Sequence, residues 1–172
     1  AIESIKKHCK IYQLKTSQDY RLRNLELEKI LLISGTKVTD EILSKHFNSL
    51  AQGEIKLSQS IEILGRNINT KKLSQGVAWF NFKDICESPR NSKDYIEIRN
   101  EFHTLVISDI PLLTESKENE TRRFIALIDE CYERKVNLII SSEIEIKEIY
   151  SGSKLLQPIE RSLSRLEEMK SR

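Results

Sequence analysis

The chain of 172 residues holds only five glycines, Gly35, Gly53, Gly65, Gly76 and Gly152. No two of them have the spacing of a Gly-x-x-x-x-Gly-Lys-Ser/Thr loop, whose backbone N–H groups cradle phosphates, so this stretch carries no P-loop. Prolines number three, and with 38% apolar and 31% charged residues the composition excludes collagen-like, low-complexity and linker-dominated chains. Cysteines are also few. Cys9, Cys86 and Cys131 are odd in number and widely spread, unlike a secreted disulfide scaffold, and they predict a reducing, cytoplasmic setting. There is no Cys-x-x-Cys pair, and the adjacent His8 and Cys9 lack a second ligand pair, so no metal site is predicted.

An excess of either charge is missing as well. Lys plus Arg total 28 against 26 Asp plus Glu, a formal charge of +2, which gives no general drive toward nucleic acid or an anionic membrane. A nucleic-acid role would need a local patch, for which Lys6, Lys7, Lys10 and Arg21 are the available cations. Apolar runs such as Leu105 to Ile107 and Leu138 to Ile140 fall far below the roughly 20 residues of a membrane span. The opening Ala-Ile-Glu is not a secretory signal, and its abruptness predicts a soluble fragment.

What is present is alternating local pattern. Ile2 to Lys10 reads as a short helix and Ile11 to Leu14 as a strand before a polar turn at Thr16 to Asp19. A strand over Lys29 to Ile33 meets Ser34-Gly35, and Thr39 is placed to N-cap a helix carrying Ile42, Leu43, His46, Phe47 and Leu50, which Gly53 is expected to end. From Glu54 to Phe82 short segments around a Gly65-Arg66-Asn67 turn predict an antiparallel meander. Strand alternation puts Phe80 and Phe82 on one face and Trp79 on the other, where packing in the core is the default for such a cluster.

Asp84 to Glu87 reads as one helical turn stopped by Pro89, and Ser92 as the cap of a helix with Tyr95, Ile96 and Phe102 on one side. The clearest periodicity lies in Thr121 to Lys135, where Phe124, Ile125, Leu127, Ile128, Cys131 and Tyr132 form one stripe. It separates the strand at Thr104 to Ser108 from that at Val136 to Ser141, an order and spacing that fit a parallel crossover. Asp109 and Ser141-Ser142 then end neighbouring strands at the edge where α/β proteins bind ligands. Asp109 is followed by Ile110-Pro111 and not by the acidic residue that activates water in an ATPase, which favours a structural role. Lone His103 has no argued nucleophile beside it. Ile144 to Tyr150 reads as helical, and Pro158 opens a last helix through Leu163, Leu166 and Met169.

Four strings stand out: Asp-Tyr-Arg-Leu-Arg at Asp19 to Arg23, GVAWFNFKDICESPRNSKDYIEIRNEFHTLVISDIPLL from Gly76, TRRFIALIDECYERKVNLIISSE from Thr121, and RSLSRLEEM from Arg161. Together, and in this order, they resemble the C-terminal half of the ZapE/AFG-like ATPases, an AAA+-related family. The resemblance implies an α/β fold, a partly parallel sheet with flanking helices and a small antiparallel meander, forming the C-terminal part of a P-loop ATPase. Residues 1–25 would end the nucleotide-binding core, 26–75 form a variable α+β segment, and 76–172 a C-terminal α/β subdomain. Family members usually carry aromatics before the SLSRL-type motif, where this chain has Gln157, Pro158 and Ile159.

The implied function is completing or regulating an ATP-hydrolysing core, with ATP and Mg in the parent protein and none expected to bind tightly to this chain alone. Lacking a Walker A motif, the chain is expected to be inactive by itself. Its expected partners are the N-terminal core of the same protein and a cell-division or protease-related protein. Arg165 looks like the arginine that AAA+ proteins place near nucleotide as sensor or finger, with Arg161 one turn away; the bland alternative pairs them with Glu168 or Glu160. Arg122 and Arg123 open a helix where the dipole disfavours them by about a few tenths of a kcal/mol, so they call for an anion, an acidic surface of the core, or Glu118 and Glu120. Arg21 and Arg23 are further candidate contacts, or ordinary turn anchors with Asp19. The alternative is a non-enzymatic interaction module using the face around Arg122 and Arg123.

Overall fold

The computed structural model describes residues 31–34 and 39–170. The predicted helix at Ile2 to Lys10, the strand at Ile11 to Leu14, and Arg21 and Arg23 lie outside the described residues.

Among the described residues six strands form one mixed sheet and two more pair separately. The first is β1 (Leu31–Ser34), followed by helix α1 (Thr39–Leu50). Next come β2 (Gln52–Leu57), β3 (Ser60–Ile63), β4 (Arg66–Asn69), β5 (Lys72–Gln75) and β6 (Val77–Asn81). A π-helical turn (Lys83–Glu87) and α2 (Ser92–Glu101) lead to β7 (Thr104–Ile110). Helix α3 (Glu118–Arg134), β8 (Asn137–Ser142) and α4 (Leu156–Lys170) are the last strand and helices among the described residues.

β1, β8, β7 and β6 run parallel. Each step from β6 to β7 and from β7 to β8 passes through a helix, as a parallel connection requires. β5 and then β2, which forms the edge, extend the sheet antiparallel. β3 and β4 pair as a separate hairpin, so the expected meander is divided between two sheets. Its turn falls at Leu64 and Gly65, both at positive φ, which frees Arg66 and Asn67 to pair as strand residues. The sheet takes strands from both sides of residue 76.

Alternation along β6, β7 and β8 divides the core. Ala78, Phe80, Leu105, Ile107, Leu138 and Ile140 face α2, α3 and α4, while Val77, Trp79, Val106 and Ile139 face Leu43 and Phe47 of α1. Trp79 and Phe80 are therefore on opposite faces, as the pattern required. Phe124, Leu127, Ile128 and Cys131 sink the apolar stripe of α3 between the sheet, α2 and α4. Each such buried large side chain contributes about 1.5–3 kcal/mol.

Four local expectations change. Helix α1 ends at Leu50, and Gly53 lies within β2 where its pairing with β5 is irregular. Helix α3 begins at Glu118 with acidic residues in its first turn, so Arg122 and Arg123 stand in the second turn, past the reach of the helix-start dipole. Helix α2 is capped by Asn91 and not by Ser92: the Asn91 side chain accepts from Lys93 N at 2.9 Å, and Asp94 accepts from Asn91 N at 2.8 Å. This reciprocal box satisfies two helix-end donors, which Ser92, already inside the first turn, does not. The segment after β8 is only a 3-10 turn over Ile146–Glu148, because burial of Ile146 and Ile149 fixes a short stretch too brief to carry a helical face.

Candidate functional site

Two polar clusters decorate this scaffold. The first lies at the carboxyl ends of the parallel strands. Asn81 ends β6, Ser108 and Asp109 lie near the end of β7, and Ser141 and Ser142 end β8. From β1 the chain crosses to β6 over the α1 face, then returns by helices on the opposite face until β8 lies beside β1. Strand order reverses between β1 and β8, the position at which open α/β sheets form a ligand crevice.

A register shift between Ile107 and Ile110 marks a bulge in β7, and Asp109 adopts φ +61° there. An extra residue in one strand re-aims a side chain, and a left-handed aspartate costs less than most residues in that conformation. The result is that Asp109 points out of an otherwise buried strand. Its Oδ2 accepts from Lys71 Nζ at 2.8 Å, Asn81 Nδ2 at 2.5 Å and Ser108 Oγ at 2.9 Å, and its backbone N–H donates to Ser141 Oγ at 3.2 Å. Lys71 also reaches Asp40, in the first turn of α1, at 3.5 Å, and lies over the Trp79 ring.

The second cluster joins α3 to α4. Pro158 sits in the first turn of α4, where a missing N–H costs nothing, and the following helix presents Arg161, Ser162 and Arg165 on one side. All three converge on Asp129 of α3. Arg165 pairs with it at 2.5 Å, Arg161 at 3.3 Å, and Ser162 donates to it at 3.4 Å. The Arg165 guanidinium also lies 4.9 Å from the Tyr132 ring centroid. The arginines' partner is thus Asp129, while Glu168 accepts from the Tyr132 hydroxyl at 2.6 Å. Arg165 is mostly covered; Arg161 remains 60% exposed.

Arg122 and Arg123 have different surroundings despite their adjacency. Arg122 pairs with Glu118 at 2.7 Å, one turn earlier, and with Lys154 this holds the Glu118 carboxyl below its ordinary range, the Arg122 hydrogen bond being the main cause. Arg123 donates to the carbonyls of Cys86 at 3.0 Å and Glu87 at 3.4 Å, closing the end of the π-helical turn. His103 contacts Thr104 Oγ1 and lies against Gly76, a packing role.

Asp40, Lys71 and Asn81 were not sequence candidates. The one signal pointing to them was the expected position of Asp109 at the sheet edge, since Lys71 and Asn81 come from a loop and a strand remote from it in sequence. Among the described residues no three His, Cys, Asp or Glu side chains gather as metal ligands, and no helix is long and apolar enough to cross a membrane.

The cell division protein ZapE of Escherichia coli strain K12 is 38% identical over 171 residues, 99% of this chain and 46% of ZapE. An uncharacterized protein of Schizosaccharomyces pombe is 30% identical over 151 residues, 87% of this chain and 33% of its own. The chain thus spans less than half the length of these curated relatives. Among solved structures, AMPPCP-bound DnaA from Aquifex aeolicus shares the fold with a TM-score of 0.51 at 14% identity, covering 90% of this chain and 46% of that one. A family model described as AFG1-like ATPase matches residues 1–172. With that match along its whole length, the chain belongs to the AFG1-like ATPase family.

Proposed function

We propose that this chain is the C-terminal part of an AFG1-like ATPase and that it completes or regulates a nucleotide-binding core supplied by the rest of the protein. ATP and Mg belong to that core, and ATP hydrolysis to the assembled protein. The observation that carries the reading is the family match over 172 residues that account for 46% of ZapE, in a sequence without a phosphate-cradling loop. Phosphoryl transfer is catalysed by positioning and by charge stabilisation, so a guanidinium presented from outside the core can be worth about 10³–10⁵ in rate.

Arg161 and Arg165 supply such groups on one side of α4. Asp129 holds both in place, and Tyr132 beneath Arg165 limits its rotation. In this reading Arg165 senses nucleotide or acts as the finger, and Arg161, the more exposed of the two, is its companion. The test is the full-length ATPase carrying Arg165→Ala. Its turnover should fall at least about tenfold with ATP still bound, since the lost contact stabilises the transition state. Unchanged turnover in Arg165→Ala and in Arg161→Ala would remove both residues from this role.

A second reading, an interaction module, draws on strand β2, which among the described residues pairs only with β5 and leaves Ile55 and Leu57 exposed to solvent. Binding of a cell-division or protease-related partner that survives loss of ATPase activity would favour it.

A further inference from the structure

Magnesium–nucleotide chemistry, implied by the family, does not fit the carboxyl edge of this sheet. A P-loop enzyme holds Mg²⁺ between a hydroxyl at the start of the helix after its first strand and an aspartate from a neighbouring strand. Here the corresponding places are the first turn of α1, after β1, and the end of β7. Asp40 and Asp109 occupy them, and the Lys71 ammonium lies between, 3.5 Å from one and 2.8 Å from the other.

The rest of the shell is equally unsuited to a cation. Mg²⁺ needs oxygen lone pairs directed at it. Asn81 turns its NH₂ toward Asp109 because its carbonyl oxygen accepts from Lys83 N at 2.9 Å. Ser108 directs its proton at Asp109 because its oxygen accepts from the Trp79 indole N–H at 3.0 Å. Each neighbour is thus held in its donating orientation by a second partner, and three donors crowd a single carboxylate oxygen. The sequence between β1 and α1, Gly35-Thr36-Lys37-Val38, supplies no phosphate loop either.

We propose that this edge is a ligand site closed by the protein itself: Lys71 stands where a nucleotide-binding sheet of this kind holds its divalent cation. The edge then joins α1, the bend before β5, β6 and β7 through Lys71 and Asp109, and it takes no metal–nucleotide of its own. This goes beyond the assignment of Arg165 and stands independently of it.

The experiment uses Mn²⁺, followed by electron paramagnetic resonance and water-proton relaxation, with and without ATP, on the chain and on variants whose folding is checked by circular dichroism. The wild-type chain should take up no Mn²⁺ that depends on Asp109, so Asp109→Asn, which tolerates positive φ, should leave the titration unchanged. Replacing the ammonium and turning a donor into an acceptor, as Lys71→Met with Asn81→Asp, should raise Mn²⁺ affinity by roughly tenfold or more, through oxygen ligands that adding Asp109→Asn removes. Uptake by the wild type that Asp109→Asn abolishes overturns the proposal. So does a folded double variant with no gain. If the double variant fails to fold, Lys71→Met alone carries the same requirement, and the wild-type comparison decides regardless.

Discussion

Asp94 and Asp109 are held in opposite ways. Asp94, in the first turn of α2, has no exposed side-chain surface. It receives Arg66 from the β3–β4 hairpin through two short bonds, 2.5 and 2.6 Å, and caps α2 through Asn91 N. Asp109 is 51% exposed, sits at positive φ, and accepts three donors on one oxygen. Low dielectric strengthens every interaction of the first, and water weakens those of the second. The buried aspartate therefore ties the hairpin to the sheet domain. The exposed one contributes little to folding, and its conformation has to be explained by what it does to the ligand edge.

The comparison is broken most severely by removing each cation. Arg66→Ala leaves the Asp94 carboxylate buried without the Nη2 group that contacts both its oxygens and should cost about 3–5 kcal/mol. Lys71→Ala leaves Asp109 facing water with Asn81 and Ser108 still donating, and should cost less than about 1 kcal/mol. Asp94→Ala should be milder than Arg66→Ala, because Arg66 is 41% exposed and rehydrates. Urea titration with an unchanged m-value checks the order, and equal losses in Arg66→Ala and Lys71→Ala would abolish the contrast.

Sequence reasoning reached these two aspartates unequally, for physical reasons. The stripe of α3, the crossover from β7 to β8 and the alternation of Trp79 with Phe80 were legible because periodicity reports directly which face is buried; the parallel pairing of β6 with β7 was not, since a short strand looks the same in either direction. The position of Asp109 at the sheet edge followed from strand order alone. Its bulge did not, since no residue pattern marks where one strand gains a residue on its neighbour. The Arg66–Asp94 pair was hidden for another reason: the sequence shows a turn residue and a helix-start acid 28 positions apart, and only the packing of the hairpin on α2 brings them together. Arg161 and Arg165 were singled out by family resemblance, and their common partner Asp129 appears only when α4 is laid across α3.

Burial also separates the thiols from the surface carboxylates. Desolvation between α3 and the sheet raises Cys131 from its ordinary 9.0 to about 12, and it raises Cys86 as well, against a smaller opposing effect of Tyr95. An acid whose folded pKa is raised binds its proton more tightly when folded. Its contribution to stability is fully present below the unfolded pKa and is lost as pH rises from about 9 through the folded value. Urea midpoints should thus fall above about pH 9, and Cys131→Ala should flatten that slope although it lowers stability at neutral pH. Iodoacetamide mapped by peptide mass should label neither Cys86 nor Cys131 in the native chain at pH 8, where both remain buried thiols. Rapid native labelling of either contradicts the burial on which the slope depends.

The smallest effects concern two neighbours that sequence treats alike. Arg122 and Arg123 are adjacent in the second turn of α3, yet only Arg123 reaches carbonyls at the end of the π-helical turn. A charged donor on a carbonyl is worth about 1.5–3 kcal/mol when buried and less in this partly exposed geometry, so Arg123→Ala should cost about 1 kcal/mol. Arg122→Ala gives up one exposed i,i+4 pair, worth only roughly 0.3–0.5 kcal/mol. Its melting temperature should stay within error of wild type. The two substitutions consequently separate folding from contact with a partner: a loss of ATPase activity or partner binding in full-length Arg122→Ala belongs to the surface, whereas the same loss in Arg123→Ala follows from a loosened turn. Equal destabilisation by the two would mean that Glu118 and Lys154 form a tighter cluster with Arg122 than an exposed pair allows.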